Sequence, residues 1–323
     1  MYGRGDCRAH FRSARVQAQE NDMTLYAFSG ALEQGFVYGI MVLGVYLTFR
    51  VLDFPDLTVD GSLPLGAAIS AVAISSGHAP WAACLMAAGA GFLAGMVTGF
   101  LNTKLKILHL LASILTMIAL YSINIRIMGR PNMALLGERT AVEQFSDLTG
   151  LTASVSSPIL FGIIGVVAVL ALIWFLRTEI GMAVLATGDN PRMITAQGVN
   201  THNVIIFGVG LSNAMVAFSG ALVAQSQGAA DVNMGVGTIV AGLASVIIGE
   251  TVFGDRTIGR ALFAALLGSV LYRVAIALAL SLDLGVFSVT PSDLKLITAL
   301  LVVLALTAPR LKAKVLARGA KSA

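Results

Sequence analysis

The chain has 323 residues, of which 57% are hydrophobic and 12% charged, with a formal net charge of +4. Soluble domains carry about 25% charged residues, so this composition excludes a soluble enzyme or binding domain. It predicts an all-α, polytopic membrane bundle without a β domain, in which the small positive excess reports topology rather than nucleic-acid binding.

Residues 1–22 are polar, carry Arg4, Arg8, Arg12 and Arg15, and contain no apolar core, so they do not form a signal peptide. They read as an N-terminal extension ahead of a native start at Met23, or as a disordered tail. A transmembrane domain is expected over 23–312, followed by a basic cytoplasmic tail at 313–323.

Apolar runs at 30–50, 62–78, 81–102, 107–128, 158–176, 203–226, 237–253, 258–281 and 293–309 predict about nine crossings, within a range of eight to ten. Each is roughly 17–24 residues, enough for a hydrocarbon core of about 30 Å. The second and seventh runs are interrupted by glycine and are candidates for broken helices. Between the fourth and fifth runs, 129–157 reads as a long loop punctuated by Pro131, Gly137 and Pro158.

Lysine and arginine set the orientation. With 177–201 in the cytoplasm, twelve basic residues fall inside, among them Arg50, Lys104, Lys106, Arg177, Arg192, Arg256 and Arg260, against Arg126, Arg130, Arg139 and Lys295 outside. The C-terminus is then cytoplasmic. A weak internal repeat accompanies this topology: span 30–50 with FPDLTVDGSLPLGAA, and span 203–226 with QGAADVNMGVGTIVAGLA. Asp60 and Gly66 have the separation of Asp231 and Gly237, and the two units enter from opposite sides. Inverted repeats with interrupted helices mark transporters, with the pathway at the repeat interface.

No catalytic grouping is present. The chain has no HExxH and no glycine-rich loop ending in Lys-Ser/Thr, and Cys7, Cys84 and four histidines show no metal-ligand spacing. No cofactor or metal is expected on it, and it is not expected to hydrolyse ATP. Two regions carry polar chemistry at membrane depth. The break Asp53–Gly61 places Asp56, Thr58 and Asp60 beside helix breakers. It reads either as a lining of a solute path or as an interfacial turn with Asp60 capping the helix that follows. Arg273 lies inside the eighth span, where an intramembrane charge is either functional or ion-paired. Asn102 and Asn124 are candidates for bonds between helices or for path residues, and Glu250 reads as an interfacial charge.

Between the fifth and sixth spans lies GMAVLATGDNPRMITAQGVN, residues 181–200. Asp189 or Asn190 reads as an N-cap, Pro191 as N1 and Gly198 as the stop, giving a helix of about two turns over Pro191–Gln197. Such a helix is too short to hold itself in water, so a partner is implied.

Residues 25–312 resemble the permease subunits of binding-protein-dependent ABC importers of the branched-chain amino acid and ribose type, nearest the tryptophan-associated branch. The resemblance rests on FPDLTVDGSLPLGAA, LYSINIRIMGRPN, GMAVLATGDNPRMITAQGVN, GLASVIIGE and PSDLKLITALLVVLAL. It implies a multi-pass protein of the bacterial inner membrane, working as a permease homodimer. Two ATPase subunits that bind ATP and Mg lie on the cytoplasmic side, with a periplasmic or lipid-anchored solute-binding protein outside. It also implies an ATPase-coupling role for Gly188, Asp189, Asn190, Pro191, Arg192, Ala196, Gly198 and Asn200. The sequence departs from the family pattern at Leu108-His109-Leu110, Ser113 and His202-Asn203. His109 and Ser113 therefore bear on the solute if the fourth span lines the path. The reading from a different class is a stand-alone ion-coupled secondary transporter or channel. That would need an intramembrane acid or histidine relay, and the candidate acids lie at span ends.

Overall fold

A computed structural model of the chain describes residues 28–150, 152–281 and 303. The expected extension at 1–22, the ninth span apart from Val303, and the tail at 313–323 lie outside these. Seven helices among the described residues are long and apolar enough to cross a membrane: α1 (Phe28–Val51), α3 (Pro80–Thr103), α4 (His109–Met128), α6 (Val155–Leu176 of the helix Ala153–Leu176), α9 (Thr201–Gln227), Val232–Phe253, which contains α10 (Thr238–Phe253), and Ile258–Ala279 of α11 (Ile258–Ser281). The eighth apolar helix, α2 (Val59–Ser75), has only 17 residues.

Burial is inverted relative to a water-soluble protein. Thr48, Asp56, Thr58, Ser62, Ser70, Thr98, Asn213 and Gln225 are buried, whereas Leu85, Leu93, Val167 and Trp174 (72%) are exposed. In hydrocarbon a polar group must find its partner inside the bundle, while apolar side chains can face lipid. The bundle is built around α2, α3 and α9. The stripe Gly91, Gly95, Gly99 on α3 lies against the α9 backbone: an added Cβ would come within 2.4 Å of the Asn213 carbonyl oxygen, 2.4 Å of that of Val209 and 2.7 Å of the Ile206 Cα. Only a residue without a side chain permits this approach.

The chain breaks twice at corresponding points. α1 ends in a π-turn, Leu47–Val51, closed by the Leu52 amide on the Leu47 carbonyl at 3.0 Å. Asp53, at φ 50°, then turns the chain into α2. After α9 the chain forms a short strand, β2 (Ala229–Asp231), then a 3-10 turn (Val232–Gly235) and a left-handed Gly237 at φ 82° before α10. The second predicted span is therefore an unbroken but short helix that starts three residues early, and the seventh, 237–253, is likewise one unbroken helix, with the break lying ahead of it at 232–237. A 24-residue helix follows each short one, α3 after the 17-residue α2 and α11 after the 16-residue α10. The Asp–Gly spacing that suggested a repeat has no structural counterpart. Gly66 packs inside α2 against the Ala217 backbone, whereas Gly237 is a turn; Asp60 caps a different helix, whereas Asp231 caps its own 3-10 turn.

Three elements were not expected. The 129–157 loop contains β1 (Asn132–Ala134), antiparallel to β2 with Asn132 opposite Asp231, and the helix α5 (Ala141–Thr149). The helix has a capping box between Thr140 and Glu143, a signal present in the sequence as Thr-x-x-Glu. The ladder has three residues per strand and does not amount to a β domain. The third is α7 (Glu179–Asp189), whose cap Thr178 accepts from the Gly181 amide at 3.2 Å. It runs directly into α8 (Pro191–Ala196).

Candidate functional site

The two short helices begin back to back. Asp60, in the first turn of α2, accepts from the Gly237 amide (3.0 Å), the Ile239 amide (3.0 Å) and the Thr238 hydroxyl (3.1 Å). It is the N-cap of α10, supplied across the fold rather than by its own helix, and its charge meets the positive end of that helix. Gly235 allows the approach, since a Cβ there would lie 2.0 Å from the Asp60 carbonyl oxygen. Asp60→Ala is expected to lower stability by about 2 kcal/mol, the upper end for a lost cap, with Asp60→Asn recovering part of it. Thermal unfolding in detergent measures this; an alanine variant that melts like the parent would remove the capping assignment.

Asp56 sits in the break between α1 and α2. It is fully buried, accepting from the Thr58 amide at 2.9 Å and from Asn213 Nδ2 at 2.7 Å. Asn213 Oδ1 in turn accepts from the Ser62 hydroxyl at 2.6 Å, and the Thr58 and Thr98 hydroxyls pair at 2.9 Å. Asn213 is the thirteenth residue of the 27-residue α9, about 18 Å along it. This network therefore sits at half height in the bundle and ties the α1–α2 break to α9 and α3. Sequence reasoning missed Asn213, although an asparagine amid an apolar span is the signal that would have found it.

Beside Asp60 lies a pocket of about 320 Å³, bounded by Pro64 of α2, Met117, Tyr121 and Asn124 of α4, and Val236 of the turn before α10. Asn124 bonds between helices as expected, with Nδ2 donating to the Gly61 carbonyl at 3.2 Å. Its Oδ1 is buried and has no partner among the described residues. Such an acceptor costs about 1–3 kcal/mol where water cannot reach it. Larger apolar hollows lie between α3 and α4 and against α6, but neither gathers polar groups at a helix break.

The remaining candidates lie elsewhere. Asn102 donates to the Ile107 carbonyl at 2.8 Å, closing its own α3–α4 loop rather than bridging spans. His109, the first residue of α4, meets the Phe54 ring edge-on at 4.7 Å, and Ser113 bonds back to the Leu110 carbonyl. Ser113 lies about one turn and His109 about two turns before Met117, the first α4 residue at the pocket. Arg273 has no acidic partner among the described residues; its guanidinium stacks 3.9 Å over the Tyr38 ring, and Nη1 reaches Gln34 Oε1 at 3.4 Å. Glu250 is paired with Arg50 at 3.2 Å, joining the ends of α1 and α10.

The 188–200 segment follows its expected caps closely. Asn190, not Asp189, is the N-cap and accepts from the Met193 amide at 3.1 Å, with Pro191 at N1. Gly198, at φ 88°, turns the chain out of the helix. Asn200 is an N-cap too, for α9, accepting from the His202 amide at 3.1 Å. Within α8 only Ile194 is buried; Arg192, Ala196 and the half-exposed Met193 (50%) face outward. Gly188 joins this surface to the bundle. A Cβ there would lie 1.8 Å from the Val51 carbonyl oxygen, so α7 touches the π-turn of α1 through backbone alone.

Residues 27–307 match the family model described as branched-chain amino acid transport system / permease component. The chain is 42% identical over 273 residues to the tyrosine transport system permease protein of Clostridioides difficile, covering 84% of this chain and 88% of that protein. It is 28% identical over 255 residues to the autoinducer 2 import system permease protein LsrC of Yersinia pseudotuberculosis, covering 76% and 69%. No solved structure matches it. With seven apolar helices among the described residues around a polar mid-height junction, the chain belongs to the permease-component family of branched-chain amino acid transport systems; it is a transmembrane subunit of an import system for a small solute, not an enzyme.

Proposed function

We propose that two copies of this chain form the translocation path of an ATP-driven importer in the bacterial inner membrane, with about nine crossings each and a cytoplasmic C-terminus. Two separate ATPase subunits engage residues 188–200 from the cytoplasm, and an external binding protein delivers the solute. The likeness to a tyrosine permease favours an amino acid with an aromatic side chain as that solute. The observation carrying the reading is α8: six residues, capped at Asn190, anchored by one buried side chain and exposed over the rest of its surface. A helix this short gains its stability from what it packs against. Its neighbour α7 meets the end of α1 at Gly188 and Val51, so a displacement of α8 reaches the α1–α2 break through rigid backbone.

The paired order of long helix, break, short helix and 24-residue helix supports an inverted repeat with the path at its interface. Asp60 and Asn124 line that path; Asp56 and Thr58 hold the break in shape beside it. Arg273, Asn102, His109 and Ser113 contribute to packing and loop closure at the ends of the bundle. The charge count and the placement of Arg50, Arg177 and Arg192 beside α7 and α8 support the assigned orientation.

Co-expression with an ABC ATPase subunit from the same source tests the reading. Exchange of Asp189, Asn190 and Pro191 for alanines is expected to abolish co-purification of that ATPase while the permease still elutes as a folded, monodisperse species. Unaltered assembly and transport in that variant would remove the docking role from α8.

A further inference from the structure

The pocket between α2, α4 and the 232–236 turn contains a polar atom that the fold itself does not use. Asn124 lines the pocket and is 1% exposed, its Nδ2 is committed to the Gly61 carbonyl, and its buried Oδ1 has no partner among the described residues. The charged group on the wall is the Asp60 carboxylate, whose oxygens hold the first turn of α10. Among the described residues no lysine, arginine or histidine lines the pocket; Pro64, Met117, Val236 and the Tyr121 ring form most of the remainder. The wall is thus apolar with two acceptors and negative charge, and its volume of about 320 Å³ falls in the range of small-molecule sites.

We propose that this pocket is a transient subsite for the protonated amine of the solute, with Asn124 Oδ1 accepting one ammonium N–H and the Asp60 charge facing the same group. The inference rests on the reading of this junction as part of the translocation path. A buried amide oxygen without a donor discriminates strongly, because a ligand that lacks an N–H enters the pocket and leaves that oxygen unpaired. The ring of Tyr121 and the side chains of Met117 and Pro64 cover the apolar body and offer a π-face to the cation. An anionic solute finds no positive partner on this wall, and a polyol finds too few acceptors and donors for its hydroxyls.

The test uses the full-length chain with Cys7→Ser and Ile118→Cys, in which the new thiol stands at the pocket and Cys84 is buried. Maleimide labelling is followed with phenethylamine, or with its trimethylated ammonium analogue, which keeps the charge and the ring but has no N–H. Phenethylamine is expected to slow labelling about tenfold more than the quaternary ion, and Asn124→Leu to erase that difference while Asn124→Asp preserves it. Equal protection by both compounds in the parent would overturn the assignment to Asn124 and leave the path reading standing, whether or not the leucine variant folds. Protection by neither compound would remove the pocket from the path, and the amine subsite with it.

Discussion

Replacing Asn213 with leucine is expected to destabilise the folded permease by about 3–5 kcal/mol, because one substitution orphans two buried groups. The Asp56 carboxylate, fully buried, would keep only its bonds to the Thr58 amide and side chain, and the Ser62 hydroxyl would lose its sole described acceptor at 2.6 Å. Neither can turn to water, since the network lies at half height in the bundle, under the stripe where Gly91 and Gly95 bring α3 onto α9. Ser62→Ala removes one donor and leaves no charge unpaired, so about 1 kcal/mol is expected from it. Asn213→Asp sets a second carboxylate against Asp56 and is expected to be at least as damaging as leucine. The midpoint of thermal unfolding in mild detergent, with the yield of monodisperse protein, ranks the three. A leucine variant that unfolds at the parent's temperature, or a serine variant that suffers as much as the leucine one, would show the network to be incidental.

The polarity of this network explains what the sequence could and could not reveal. Apolar runs locate the long helices because a hydrocarbon core demands about 20 apolar residues whatever their neighbours are. The caps of α8 are equally local: Asn190, Pro191 and Gly198 act on amides within a few residues, so their roles can be read directly from the chain. Asp60 is different. A carboxylate in the first turn of α2 reads as that helix's own cap, yet it bonds to amides 177–179 residues away. Only the packing of Gly235 on the α2 backbone brings the two helix starts together. Asn213 and Asn124 are likewise polar residues scattered with others, such as Ser219 and Thr116, through apolar spans, and nothing in the local pattern says which face looks inward, because lipid-facing and core-facing sides are both largely apolar. The α2 boundary is blurred by Pro64, which looks like a break but sits in the sixth position of an intact helix. Its missing N–H leaves the Asp60 carbonyl free, and Gly235 occupies the space beside it.

Gly188→Ala is expected to disconnect α8 from the bundle without unfolding it. A methyl group there would lie 1.8 Å from the Val51 carbonyl oxygen and 3.0 Å from the Leu52 Cα. Ordinary contact needs about 3.5 Å, so α7 must back away from the α1 π-turn by more than an ångström. The obstacle is backbone, and no change of a neighbouring side chain relieves it. Gly208→Ala supplies the contrast, because the atom it would strike is the tip of the Leu52 side chain at 2.6 Å, which Leu52→Ala would clear. In proteoliposomes with the ATPase and binding protein, Gly188→Ala should lower solute uptake by about tenfold or more while ATPase binding persists, as loss of a coupling contact requires. Adding Leu52→Ala should restore uptake to Gly208→Ala and leave Gly188→Ala as impaired as before. Uptake at the parental rate by Gly188→Ala would mean that α7 can leave α1 without consequence, and the movement of α8 would then have to reach the break at Asp56 through Leu52 and α9.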